Sequence, residues 1–193
     1  MTATASPTTS TLPAERQEDI VTTVLARRVL AFGRIVIGFL FFWPFLDKLF
    51  GLGYATASEN AWINGGTPAQ GFLKAATGQF GDPATTPFVG FFKLFINPFG
   101  DVLFMLGLFG IGIAMLLGAG VRIAAVTGTL LLIFMYMAEW PFFVAGNTNP
   151  FVDSHWIEAV VLLIMGATLA GDTWGLGKWW GGLDVVKKNK WLR

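Results

Sequence analysis

Residues 29–50 read VLAFGRIVIGFLFFWPFLDKLF, and this stretch decides the fold. A spanning helix needs roughly 20 mostly apolar residues, and the run has that length with Arg34 near one end and the pair Asp47 and Lys48 at the other. Arg27 and Arg28 precede it and no small-residue cleavage site follows, so it reads as an anchor that stays and not as a signal peptide. Three further runs repeat the pattern: DVLFMLGLFGIGIAMLLGA over 101–119, a third over roughly 121–143, and a shorter fourth over roughly 155–170.

The whole chain agrees with this reading. Of its 193 residues 54% are hydrophobic and only 13% charged, against about 25% charged in a typical soluble domain. The net charge of +1 comes with no basic stripe outside the two ends, which argues against nucleic acid as a partner. No cysteine is present, which excludes disulfides, thiolate nucleophiles, iron–sulfur clusters and zinc–thiolate sites. A single histidine excludes a multi-histidine metal or haem site within this chain alone.

Lysine and arginine sort the ends of the spans. Arg16, Arg27, Arg28, Arg122, Lys178, Lys187, Lys188, Lys190 and Arg193 fall on one side, whereas the loop VAGNTNPFVDS over 144–154 has none and the long loop over 51–100 only Lys74 and Lys93. By the positive-inside rule both termini are cytoplasmic. The expected fold is therefore an all-α integral membrane protein, a four-transmembrane-helix bundle with N-in/C-in topology. Residues 1–20 read as a disordered cytoplasmic tail, 21–180 as the membrane domain and 181–193 as a basic cytoplasmic tail. The loop over 51–100 is too long for a plain connection. Its stretches TPAQGFLKAATG (67–78) and TTPFVGFFKLFINPF (85–99) read as short amphipathic helices, with turns at Gly51, Gly53, Gly65 and Gly66. They would form a lid on the outer side. Gly33, Gly38, Gly107, Gly110 and Gly112 are expected to let the helices approach closely.

Topology then gathers the charges. Asp47, Lys48, Asp101, Glu139, Asp153, His155 and Glu158 all fall at the outer ends of their spans, and an ionisable group at membrane depth is a functional-site hypothesis by default. His155 and Glu158 are three apart and share a helical face. Asp153 would cap the fourth span or hold the His155 ring, and Lys48 would pair with Glu139 or Glu158. We take Glu139, His155 and Glu158 as the candidate catalytic, proton-handling residues. Asp47, Lys48, Trp140 and Trp156 are the candidate contacts to a bound head group, with Trp43 and Trp62 as further flat walls. A quinone docking from the membrane suits this set, because His155 has an unperturbed pKa near neutrality; no metal is assigned. Plainer readings also exist: Lys48 snorkels to the interface, the tryptophans form an aromatic belt, and Arg34 reaches the inner phosphates.

The segments FLDKLFGLGYAT (45–56), AWINGGTPAQGFL (61–73), NPFVDSHWIEAVVLL (149–163) and GDTWGLGKWW (171–180) together resemble the DoxX/DoxD family of small four-helix membrane proteins. The resemblance spans roughly 34–180, carried mainly by the Asp-x-His of Asp153 and His155 and by the Asp-Lys pair. It implies a multi-pass protein of a prokaryotic plasma membrane, associated with thiosulfate:quinone oxidoreduction or with membrane redox complexes. This chain has no cysteine to carry a sulfur intermediate and no flavin or haem motif. A redox role would therefore rely on bound quinone or on other membrane or respiratory subunits. The expected function is a quinone-binding subunit of a redox assembly; a non-catalytic accessory subunit and a small-solute or proton carrier are the alternatives.

Overall fold

The computed structural model describes residues 15–142 and 149–193, and among them every regular element is helical. A short α1 (Gln17–Ile20) precedes α2 (Val24–Phe50). The lid contains α3 (Pro68–Ala76) and α4 (Val89–Lys93). Then come α5 (Pro98–Leu117), α6 (Val121–Ala138) and α7 (Ser154–Ala167), and finally α8 (Gly177–Gly182) and α9 (Asp184–Lys188). Three of these, α2, α5 and α6, are long and apolar enough to cross a membrane; α7 is apolar but has 14 residues.

The ends of the helices follow from local chemistry. Gly51 takes φ 66° and donates its N–H to the Asp47 carbonyl, closing α2. Asn97 caps α5 by accepting from the Gly100 N–H, with Pro98 at the first helical position, where its missing N–H costs nothing. Gly118 and Gly120, at φ 72° and 68°, make the tight turn into α6. The sequence pattern carried α7 to residue 170, but Leu169 turns left-handed at φ 49° and ends it at Ala167. The expected end of the third span at residue 143 lies outside the described residues, and α6 stops at Ala138.

The bundle is made of two close pairs, α2 on α5 and α6 on α7, with sparser seams between them. Glycine explains the closeness. A Cβ on Gly112 would meet Phe42 at 2.8 Å, one on Gly38 would meet the Leu116 backbone at 3.0 Å, and one on Gly166 would meet Ala125 at 2.8 Å. Phe41, Leu108, Leu132 and Leu162 fill the core between the pairs. Gly107 and Gly110, expected to serve packing too, do not: nothing lies within 4 Å of a Cβ on Gly110, and only Leu131 at 3.7 Å on Gly107. The lid has a small core of its own, in which Leu73, Ala76 and Phe92 pack with Ala138 at the end of α6.

One expectation needs correction at the opposite end of the bundle. Arg34 does not reach out to phosphates; it is 0% exposed. Its guanidinium donates to the carbonyls of Met115 and Leu116 in the last turn of α5, to Ala170 and to Trp174. Helix-end carbonyls lack intrahelical donors, and a planar five-donor fork serves several at once. At the same end the buried Gln17 donates its N–H to Asp172 at 3.0 Å and accepts from the Thr173 hydroxyl at 2.6 Å. Asp172 in turn forms a buried pair with Arg193 at 2.7 Å, so the basic tail is folded back onto the bundle. Residues 1–14 lie outside the described residues.

Candidate functional site

The seven ionisable groups at the lid end of the bundle separate into two that fasten the lid, four that line a cavity, and Asp153, which caps α7 and holds His155. Asp47 is 2% exposed and accepts from the backbone amides of Tyr54 at 3.2 Å and Ala55 at 3.0 Å. Asp101 is 3% exposed and accepts from the amides of Ala69 at 2.8 Å and Gln70 at 3.1 Å, and from the Gln70 side chain at 2.5 Å. Those two amides open α3, so Asp101 caps a helix from a distant part of the chain and its charge meets the positive end of the helix dipole. Both carboxylates fasten the lid. Asp47, expected to touch a head group, is spent on lid amides instead.

Lys48, Glu139, His155 and Glu158, by contrast, line one cavity of about 750 Å³. Lys48 follows Asp47 directly, and successive residues on an α-helix point about 100° apart. One turns to the lid and the other to the cavity. Glu139 stands at the C-terminal cap of α6, and His155 and Glu158 lie one turn apart on α7. Phe41, Phe72, Phe104, Leu108, Leu132 and Met135 form apolar walls, and Ala55, Thr56, Asn60 and Thr67 from the lid contribute the roof. Pro44, also on the wall, has no N–H to give the Leu40 carbonyl, so α2 lacks one rung at the cavity.

Asp153 sets the state of His155. Its carboxylate accepts from the amides of His155 at 3.1 Å and Trp156 at 3.4 Å, capping α7, and it takes His155 Nδ1 at 2.7 Å. A carboxylate at Nδ1 holds the proton there and leaves Nε2 as the acceptor in the neutral ring. Both roles suggested by the sequence for Asp153 are thus filled by one side chain. The expected ion pair is absent: among the described residues no salt bridge joins Lys48 to Glu139 or Glu158. Nor do any three His, Asp or Glu groups among the described residues come together as a metal site. The cavity thus presents a cation, two carboxylates and an imidazole that are not paired with one another, among apolar walls. Glu139 is exposed and Lys48, His155 and Glu158 are half-buried, so all four are open to a polar partner that enters the cavity.

The tryptophans are placed elsewhere. Trp140 stacks edge-on against Phe88 at 5.5 Å, Trp156 against Tyr136 at 5.5 Å and Trp43 against Tyr54 at 5.1 Å. None of them, nor Trp62, lines the cavity. The rings of Trp43, Trp140 and Trp156 are taken up by other aromatics, and the flat walls expected of the tryptophans are supplied by Phe41, Phe72 and Phe104. Those phenylalanines stand among 19 in the chain, so nothing in the sequence marked them. Thr56 and Asn60 carried a weak signal as polar residues in a Phe-rich loop.

Compared with family models, with curated proteins and with solved structures, the chain matches none.

Proposed function

We propose that the chain is the membrane subunit of a redox assembly and binds a quinone head group in the cavity lined by Lys48, Glu139, His155 and Glu158. The observation that carries this reading is the convergence of those four groups from three separate elements on one cavity with apolar walls. A quinone head is flat and apolar with two carbonyl oxygens. Lys48 would donate to one oxygen, and the Phe walls would enclose the ring. Reduction takes up two electrons and two protons; Glu139, Glu158 and His155 would pass the protons. The electrons would come from a partner subunit carrying a redox group, since this chain has no cysteine and one histidine. The resemblance to the DoxX/DoxD family points the same way.

The same reading includes a topology. We place α7 as a fourth crossing, although its 14 residues give only about 21 Å against a hydrocarbon core of about 30 Å. Apolar residues flank it, Phe151 and Val152 before its Asp153 cap and Leu169 and Ala170 in the turn after it, and would lengthen the apolar layer without lengthening the helix. The end that carries Arg27, Arg28, Arg122 and the lysines of 178–190 would face the cytoplasm of a prokaryotic cell.

The test is equilibrium binding of a tailless naphthoquinone, menadione, to the purified chain in nanodiscs. Lys48→Met, Glu139→Gln and His155→Ala should each weaken binding about tenfold, the loss of one hydrogen bond to a charged group. No binding by the wild type, or equal binding by all three variants, would end the proposal. A chain that binds no quinone yet purifies with respiratory subunits would be an accessory subunit instead.

A further inference from the structure

A second cavity of about 690 Å³ lies along the seam between α5 and α6. Its floor on α5 is Gly107, Gly110 and Ala114, which share one face of the helix by their spacing of three and four. Small residues at such spacing ordinarily let a second helix close in. Here the second helix stays away, since a Cβ on Gly110 would touch nothing. Phe91, Phe92 and Phe95 stand at one end and Trp180 at the other, and the lining is almost wholly apolar. This trough and the charged cavity meet, for Phe72, Phe104 and Met135 belong to the walls of both.

We propose that the trough is the tail subsite of the molecule whose head occupies the charged cavity. This rests on the quinone reading above, and the occupant is then the polyprenyl tail of that quinone. Three shared wall residues set a polar cavity and an apolar one side by side, the order of head and tail in an amphiphile. From Phe104 to Ala114 the trough follows α5 for about 15 Å, so it takes a tail of several isoprene units. The bilayer is as apolar as the trough, so the tail gains no hydrophobic energy by entering. Its gain comes from packing alone, which limits the expected preference to about tenfold.

The purified full-length chain in nanodiscs of fixed lipid composition provides the test. Affinities for menadione and for menaquinone-4, which carries four isoprene units, are measured for the wild type, for Gly110→Leu and for Gly107→Leu with Gly110→Leu. Partitioning into the disc is common to all proteins and cancels in the comparison. Neither position is closely packed, and unchanged thermal unfolding checks that the variants fold. The expected result is a menaquinone-4 to menadione affinity ratio about tenfold lower in the double variant, with the single variant between. Val160→Phe, on an exposed face of α7 away from both cavities, should leave the ratio as in the wild type. An unchanged ratio in the double variant, with menadione still bound, would overturn the tail subsite and leave the trough to ordinary bilayer lipid. Failure of the wild type to bind menadione would remove the head-group reading, and the subsite with it.

Discussion

Asp47 and Lys48 are neighbours with opposite roles. The carboxylate holds the lid through the Tyr54 and Ala55 amides, while the ammonium lines the cavity. Asp47→Asn can accept from one amide but turns a donor toward the other, and leaving a buried group unsatisfied costs about 1–3 kcal/mol. It should therefore lower the thermal stability of the chain in detergent, whereas Lys48→Met should leave stability near the wild type while weakening menadione binding. Arg34 offers a second contrast. It satisfies carbonyls of Ala170 and Trp174 beside two left-handed non-glycine residues, Leu169 at φ 49° and Trp174 at φ 52°. Arg34→Ala should destabilise by about 3 kcal/mol or more, because several buried carbonyls lose their donor together. Arg34→Lys should recover only part, since an ammonium cannot span them. The depth of these charges was legible from the apolar runs around them. Which of Asp47 and Lys48 faces inward was not, because α2 is apolar on nearly every side and its rotation leaves no mark in the sequence.

At the scale of elements, the apolar runs located α2, α5, α6 and α7 well, and the short amphipathic stretches located α3 and α4. The ends were legible where glycine or a capping residue set them, as at Gly51 and Asp153. They were not where a tertiary bond decides, as at Leu169, where Arg34 claims the next carbonyl. Glycine shows the same division. Gly110 and Gly112 look alike in the sequence, yet Gly112 lies under Phe42 and Gly110 under nothing. Gly112→Ala should force α2 from α5 and cost about 1–3 kcal/mol. Gly110→Ala should be neutral or stabilising, by up to about 1 kcal/mol from helix propensity. Thermal unfolding of the two single variants reads the difference directly.

Across the whole molecule residues 15–20 and the C-terminal residues are tied to one end of the bundle. Polar composition gave 1–20 the look of a disordered tail and 181–193 that of a basic one, and neither showed the partners of 15–20 and 184–193, which lie far away in the chain. Asp172 receives Gln17 and Arg193 at once. Removing one partner from a buried pair is costly, about 3–5 kcal/mol. Asp172→Ala should therefore lower the unfolding temperature and expose both tails to limited proteolysis, without change in menadione affinity, since the cavity lies at the other end. The gathering of charges at one end was likewise legible from topology. Their division into two lid anchors, four cavity groups and Asp153 behind His155 needed the lid's path, which no local pattern encodes.

The cavity crosses the seam between the two helix pairs, and its charges are shared out across that seam. The ammonium rides with the α2–α5 pair, and the imidazole and both carboxylates ride with α6 and α7. A head group held by both sets is a clasp between two halves that otherwise meet sparsely. Anything that binds only the assembled state stabilises it, so occupancy and the distance between the halves become a single variable. Bilayer thickness or a neighbouring subunit that spreads the pairs would then loosen the ligand without touching any residue of its site.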